Sequence, residues 1–227
     1  MILLSRRLEE LEATRLTLPQ PEMHRSLALD LEKTDTLAKS LGQLVQETGP
    51  IAIWVNNSGG PKAGALAEAL LHDMEQAFKG HALASQIILN AVLPGMKSEG
   101  YGRIVSVLST SVRMPLPNLG VSNMIRAAMA SWGKTLATEL GPFGITVNSV
   151  LPGFTSTPRL EALIQGAAQK SGRSAEVVRK EWQDSVPMRR FAEASETAQA
   201  IAFLASPLAG YISGVQLPVD GARTGAL

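Results

Sequence analysis

Few side chains in this sequence can do acid–base or nucleophilic chemistry, and their spacing narrows the choice further. There is no cysteine, so thiolate catalysis, disulfides and cysteine-based zinc sites are excluded. Ser109 directly follows the apolar run 104–108. Ser122 and Arg126 stand four residues apart, while Ile125, Met129, Trp132, Leu136 and Leu140 form the apolar stripe of the same segment. The hydroxyl and the guanidinium therefore share a different face of that helix. A hydroxyl can orient a water or a substrate oxygen. A guanidinium keeps its charge at any ordinary pH and suits a phosphate or a ribose. His81, inside the long helical stretch 66–97, carries the side chain whose usual pKa best fits proton transfer near neutrality.

The elements that must hold these groups alternate between strand and helix. Apolar segments at 2–4, 26–29, 51–55, 104–108, 146–151 and 216–219 have strand length. Between them lie helical patterns: from Arg7, around Leu37, Leu41, Leu44 and Val45 up to the stop at Gly49-Pro50, over 66–97 with a break at Gly80, over 118–140, within 159–183 and over 195–205. The unbroken run 51–55 reads as a strand covered on both faces. No internal repeat or Gly/Ser linker interrupts the rhythm, so residues 1–227 form one α/β domain with a mainly parallel sheet. The polar segment 170–190 is the expected mobile excursion. Hydrophobic residues make up 45% and charged residues 18%, the balance of a globular chain. Lys+Arg is 21 against Asp+Glu 20, so the basic excess of an electrostatic nucleic-acid binder is missing. No apolar run reaches eighteen residues, and Met1-Ile2-Leu3-Leu4 is too short for a signal-peptide core. A cytoplasmic protein with no membrane or nucleic-acid partner and no metal is expected.

Four motifs in one order carry a resemblance. Asn56-Asn57-Ser58-Gly59-Gly60 follows the run 51–55, and Gly102-Arg103-Ile104-Val105-Ser106-Val107-Leu108-Ser109 comes next. Gly144-Ile145-Thr146-Val147-Asn148-Ser149-Val150-Leu151-Pro152-Gly153 follows, and then Ala209-Gly210-Tyr211-Ile212-Ser213-Gly214 with Val219-Asp220-Gly221. Each turn alone is only a turn, but together and in this order they resemble the short-chain dehydrogenase/reductase family, nearest its β-ketoacyl carrier-protein reductase type. The resemblance covers nearly the whole chain. It implies a Rossmann-like, doubly wound sheet flanked by helices and a nicotinamide dinucleotide cofactor. It places Asn56, Ser58 and Gly59 in the turn on which that cofactor lies, and Pro152, Gly153, Thr155 and Thr157 beside the nicotinamide. Ser109 becomes the serine that polarises the substrate carbonyl, and residues 158–190 become a substrate lid. It also implies a homodimer or homotetramer built on the two long central helices.

Two departures accompany the matches. The family's Gly-rich turn after its first strand brings backbone N–H groups and a helix end to the pyrophosphate. No such turn opens this chain, and Met1 to Arg7 lines up with the family's second strand, so one βα unit is missing. In the family's strand order that unit is central, and its loss leaves two facing rows of unpaired backbone groups. The expectation is that Met1 is internal to a longer natural polypeptide; the alternative is a truncated protein that has lost cofactor binding. The second departure is catalytic. The positions of the family's tyrosine, lysine and asparagine fall on Ser122, Arg126 and His81. An aliphatic hydroxyl is a far weaker acid than a phenol, whose pKa is about 10. Ser122 is thus either a working hydroxyl that orients water or a small residue where a side chain was lost. His81 is either a proton source or a helix histidine bonded to backbone. Arg126 is assigned to a ribose or phosphate.

The end of the second family strand here reads Ser5-Arg6-Arg7 with no acid. An acid there would select NAD, whereas an arginine accommodates the 2′-phosphate of NADP. NADP is therefore expected in preference to NAD, with Ser5 and Arg6 at the phosphate and Asp30 near the adenine. The expected activity is NADP(H)-dependent reduction of a ketone or β-ketoacyl small molecule with an atypical catalytic group. The alternative is a catalytically inactive relative serving as a nucleotide-binding or oligomerising module.

Overall fold

The structure, a computed structural model, describes residues 1–225; the last two positions of the expected domain lie outside it. Every strand pairing is parallel, but the strands fall into two ladders. β1 (Ile2–Ser5) pairs with β2 (Arg25–Ala28). β3 (Ile53–Asn56), β4 (Gly102–Val107), β5 (Ile145–Pro152) and β6 (Gln216–Val219) form a second ladder in that order. The helices are α1 (Leu8–Leu16), α2 (Thr34–Thr48), α3 (Leu71–Phe78), α4 (Ala84–Glu99), α5 (Gly120–Leu140), α6 (Pro158–Ser171), α7 (Ala175–Asp184) and α8 (Ala194–Ala205).

The sequence patterns explain these elements directly. Leu37, Leu41 and Leu44 recur at helical spacing and all three are buried, and α2 ends where Gly49 takes a φ of +78° before Pro50. The α5 stripe predicted from sequence is buried at Ile125, Met129, Leu136 and Leu140. β4 and β5 are central in their ladder and buried along nearly their whole length, as parallel strands covered on both faces must be. On one side α2 and α4 pack with Trp54, Ile104, Ile145 and Val147 in the largest apolar cluster. On the other, Leu204 of α8 meets Val105 and Val150. Burying each such side chain stabilises the fold by about 1.5–3 kcal/mol. A third cluster joins α6 and α7 through Leu160, Ile164, Ala168 and Val178, with Phe191 beside them.

Two expectations are corrected. The run 51–55 is not covered on both faces: the strand starts at Ile53, and Ile53 and Val55 remain 47% and 43% exposed while Trp54 and Asn56 are buried. The cause is that β3 pairs with β4 alone and that only α8 reaches its second face. Nor does Gly80 break the helix between α3 and α4. The axis continues through a single π turn, Lys79–Leu83.

Candidate active site

In open parallel sheets a ligand crevice lies outside the carboxyl ends of the strands. Here those ends are Asn56 of β3, Val107 of β4 with Ser109 just beyond, and Pro152 of β5. The loop after β3 is tied back to the start of α5, with Gly64 N–H donating to the Asn118 carbonyl (2.7 Å) and Gly120 N–H to the Gly64 carbonyl (3.0 Å). A Cβ on Gly120 would stand 2.5 Å from Leu66 main chain, so only glycine permits this approach.

The positive charge at these strand ends comes from the buried Arg126, with the exposed Arg159 nearby. Arg126 is 8% exposed; its guanidinium donates to the carbonyl of Val107 (2.7 Å) and to that of Ser58 (3.2 Å). Burial, and secondarily the charge of Arg159, pull its pKa down to about 10. Arg159, at the start of α6, donates to the Pro61 carbonyl at 2.9 Å and lies across Gly60, where a Cβ would come within 2.7 Å of its Nη2. His81 sits in the π turn, a form of helix that recurs at functional sites. Its Nδ1 is 2.6 Å from Ser58 Oγ. Burial first, and the Arg126 charge second, push the imidazole from 6.5 to about 4, against a raising contribution from the Gly59 backbone. It is therefore neutral at neutral pH. The Ser109 hydroxyl accepts from Ser111 N–H (3.1 Å), which leaves its own proton free to donate outward. Ser122 is buried one turn before Arg126 on α5, and its hydroxyl makes no side-chain hydrogen bond to another described residue.

Comparison with known proteins adds the family. Residues 2–224 match the family profile described as enoyl-(acyl carrier protein) reductase. The chain is 32% identical over 199 residues to the 3-oxoacyl-[acyl-carrier-protein] reductase FabG of Haemophilus influenzae, covering 87% of this chain and 77% of that protein. It is 27% identical over 224 residues to the NADPH-dependent reductase BacG of Bacillus subtilis, covering 97% of this chain and 86% of that one. This chain belongs to the short-chain dehydrogenase/reductase family. The crystal structure of YwfH, an NADPH-dependent reductase involved in bacilysin biosynthesis, superposes with a TM-score of 0.92 at 26% identity, covering all of this chain and 89% of that one.

Within this short-chain fold the residues singled out in the sequence divide into three groups. Ser58, His81 and Arg126 meet directly, and Ser109 stands at the adjoining strand end. A second group is engaged internally. Asn56 donates from Nδ2 to Ser85 Oγ (2.9 Å) and Ser106 Oγ (3.4 Å), knitting β3 to α4 and β4. Thr157 caps α6 through the Leu160 N–H (3.3 Å), and Thr155 donates to the Gly153 carbonyl (3.4 Å). Gly153 itself abuts Asp220, 2.7 Å from where a Cβ would be. A third group stands apart, on the smaller ladder. Ser5 accepts from Arg7 N–H (3.2 Å), Asp30 accepts from Glu32 N–H (3.0 Å), and Arg6 is exposed. Neither tyrosine enters the crevice, since Tyr101 precedes the opposite end of β4 against Arg103 and Tyr211 is fully exposed. Sequence reasoning missed Arg159. Its signal is an arginine two residues beyond Thr157, at the first turn of the helix after the Pro152-Gly153 turn. It also missed the Ser58–His81 contact, which no spacing in the chain announces. Among the described residues there is no cluster of metal-ligating side chains, and no helix is long and apolar enough to cross a membrane.

Proposed function

We propose that this chain is an NADP(H)-dependent reductase of a ketone or β-ketoacyl small molecule. The observation that carries the reading is the convergence of Ser109, the Ser58–His81 pair and the buried Arg126 at one end of the parallel strands, in a family whose similar members include proteins named as NADPH-dependent reductases. The residues fit a dinucleotide phosphate at both of its ends. In this reading the exposed Arg6 meets the 2′-phosphate, and the Pro152-Gly153 turn with Thr155 faces the nicotinamide. Arg126 and Arg159 supply positive charge that no carboxylate of the described residues pairs with. A dinucleotide held there by Arg6, Arg126 and Arg159 would supply the hydride for the carbonyl carbon. Ser109 donates a hydrogen bond to the carbonyl oxygen from a hydroxyl already oriented by Ser111 N–H. The proton that completes the alcohol comes from a water held by Ser122, solvent returning a proton to the hydroxide left behind; His81, held neutral by burial and Arg126, has no acidic proton to give at neutral pH. Residues 158–190 act as the lid, with Leu160 and Trp182 as apolar contacts. A homodimer or homotetramer in the cytoplasm completes the reading.

The test is oxidation of NADPH by the purified protein across a panel of ketones and β-ketoacyl thioesters. Ser109→Ala should lower kcat at least about 100-fold, the range of a lost electrostatic donor, with little change in NADPH affinity. A second reading, an inactive nucleotide-binding or oligomerising relative, is favoured by the distance of both tyrosines from the crevice. NADPH binding without turnover on any of the panel supports that reading instead.

A further inference from the structure

The segments that follow the carboxyl ends of β3, β4 and β5 are one-sided in charge. Residues 57–65, 108–119 and 152–160 contain no aspartate or glutamate, yet they carry Lys62, Arg113 and Arg159. All three are exposed, and none forms an ion pair among the described residues. Arg113 is drawn away to the Gln216 carbonyl (3.0 Å). Arg159 is held at the crevice. Its stretch of α6 is anchored by Leu160 and Ile164, buried against α7. Its Nη2 donates to the Pro61 carbonyl (2.9 Å). Gly60 lets the guanidinium lie against the loop, since a Cβ there would come within 2.8 Å of Cζ. That single bond steadies the plane of the group and leaves Nε and Nη1 without a partner among the described residues.

We infer that Arg159 determines specificity by selecting a carbonyl substrate that bears its own carboxylate, a small oxo acid in preference to a neutral ketone. The reduction itself rests on the proposed function; the anion site does not. Charge is the first argument. The mouth holds uncompensated cations, and a neutral substrate would desolvate them with nothing in return, whereas an anion pairs with them. The second argument is shape. A guanidinium with one edge free binds a planar carboxylate through parallel N–H bonds. A phosphate fits less well, because phosphate sites at helix starts draw on free backbone N–H groups. In the first turn of α6, Pro158 has no N–H, that of Leu160 is spent on Thr157 Oγ1 (3.3 Å), and that of Glu161 on the Thr157 carbonyl (3.1 Å). The third argument is position. The Arg126 guanidinium spans from the Ser58 carbonyl to that of Val107, two residues before Ser109. The crevice therefore runs from the 57–65 loop to Ser109. Arg159 stands at its loop end, so the carboxylate lies there and the reacting carbonyl at Ser109.

Binding tests the inference without turnover. Cyclohexanecarboxylate and cyclohexanecarboxamide, the same ring with and without the charge, are titrated into the protein with and without NADP+ and followed by NMR. The carboxylate should bind at least about tenfold more tightly, the range of one charge-assisted hydrogen bond. The preference should fall below about threefold in Arg159→Ala and shrink with added salt. In turnover, 3-oxocyclohexanecarboxylate is compared with its methyl ester at saturating NADPH. The ratio of their kcat/KM values should favour the acid at least about tenfold and collapse in Arg159→Ala. Because it is a ratio, any effect of the variant on the dinucleotide cancels. Equal binding of acid and amide, or a preference that Arg159→Ala retains, overturns the inference. Tighter binding of cyclohexyl phosphate than of cyclohexanecarboxylate overturns the choice of carboxylate. A carboxylate preference that depends on Arg159, without NADPH oxidation on any ketone, upholds the anion site and counts against the reductase reading instead.

Discussion

Replacing His81 by asparagine should remove a specific part of the protein's pH-dependent stability. In the folded protein, burial and then the neighbouring Arg126 charge hold the imidazole at about 4 instead of 6.5. As pH falls below 6.5 the unfolded chain takes up this proton first, so stability present above 6.5 is lost progressively down to about 4. The linkage relation gives a loss of about 2 kcal/mol at about pH 5 relative to pH 8. Asparagine does not titrate, and its amide can still meet the Ser58 hydroxyl that now faces Nδ1 at 2.6 Å. The assay is urea unfolding of both proteins at about pH 8 and pH 5, followed by circular dichroism. Other groups titrate alike in both, so the difference between the two pH-dependent losses isolates the imidazole. The native protein should lose about 2 kcal/mol more than His81→Asn. Equal losses, within about 0.5 kcal/mol, would refute the claim that the fold holds this ring neutral.

Arg126→Met should cost about 1–3 kcal/mol in the same unfolding assay, because it strips donors from the half-buried carbonyls of Val107 and Ser58. It should also move the His81 pKa upward, read by NMR titration, since the guanidinium charge helps to lower it. Arg159→Ala, at an exposed bond to the Pro61 carbonyl, should leave stability within about 0.5 kcal/mol. The same change should weaken NADPH binding by about 3–10-fold in calorimetric titration and reduce the salt dependence of that binding. Affinity and salt slope that stay the same would remove Arg159 from the ligand's field.

The elements with strong periodicity were legible in the sequence. The α2 leucines, the α5 stripe and the buried β5 run all state which face is covered, and the structure covers those faces. The run 51–55 was misread because an unbroken apolar stretch reports what a strand is suited to pack against, not whether the neighbour is there. Ile53 and Val55 have the composition of an interior strand and the exposure of an edge. The site was legible where a residue follows a strand, as Ser109 follows β4. It was not legible where a contact closes a long loop. Ser58 meets His81 across 23 residues, and Arg159 reaches the 57–65 loop from α6 across 98. The π turn that carries His81 has no periodic signature, because it adds one residue to a helix whose apolar pattern continues on either side.

The choice of carbonyls rather than carboxylates as partners for Arg126 has a consequence for the whole crevice. With a pKa of about 10, the guanidinium is still protonated by about a thousandfold at pH 7. The carbonyls of Val107 and Ser58 satisfy its N–H groups with dipoles and leave its charge uncompensated. Elsewhere in the chain Arg15, Arg173, Arg179 and Arg190 pair with glutamates. Arg126 and Arg159 pair with no acid among the described residues, so their fields add at the strand ends, that of the buried Arg126 being the less screened by water. A carboxylate beside Arg126 would quench that field and let the His81 pKa rise. Without one, the same charge that attracts an anionic ligand keeps the imidazole neutral. A single buried arginine thereby sets the ligand charge that the strand ends favour and reinforces the burial that keeps the one histidine there neutral.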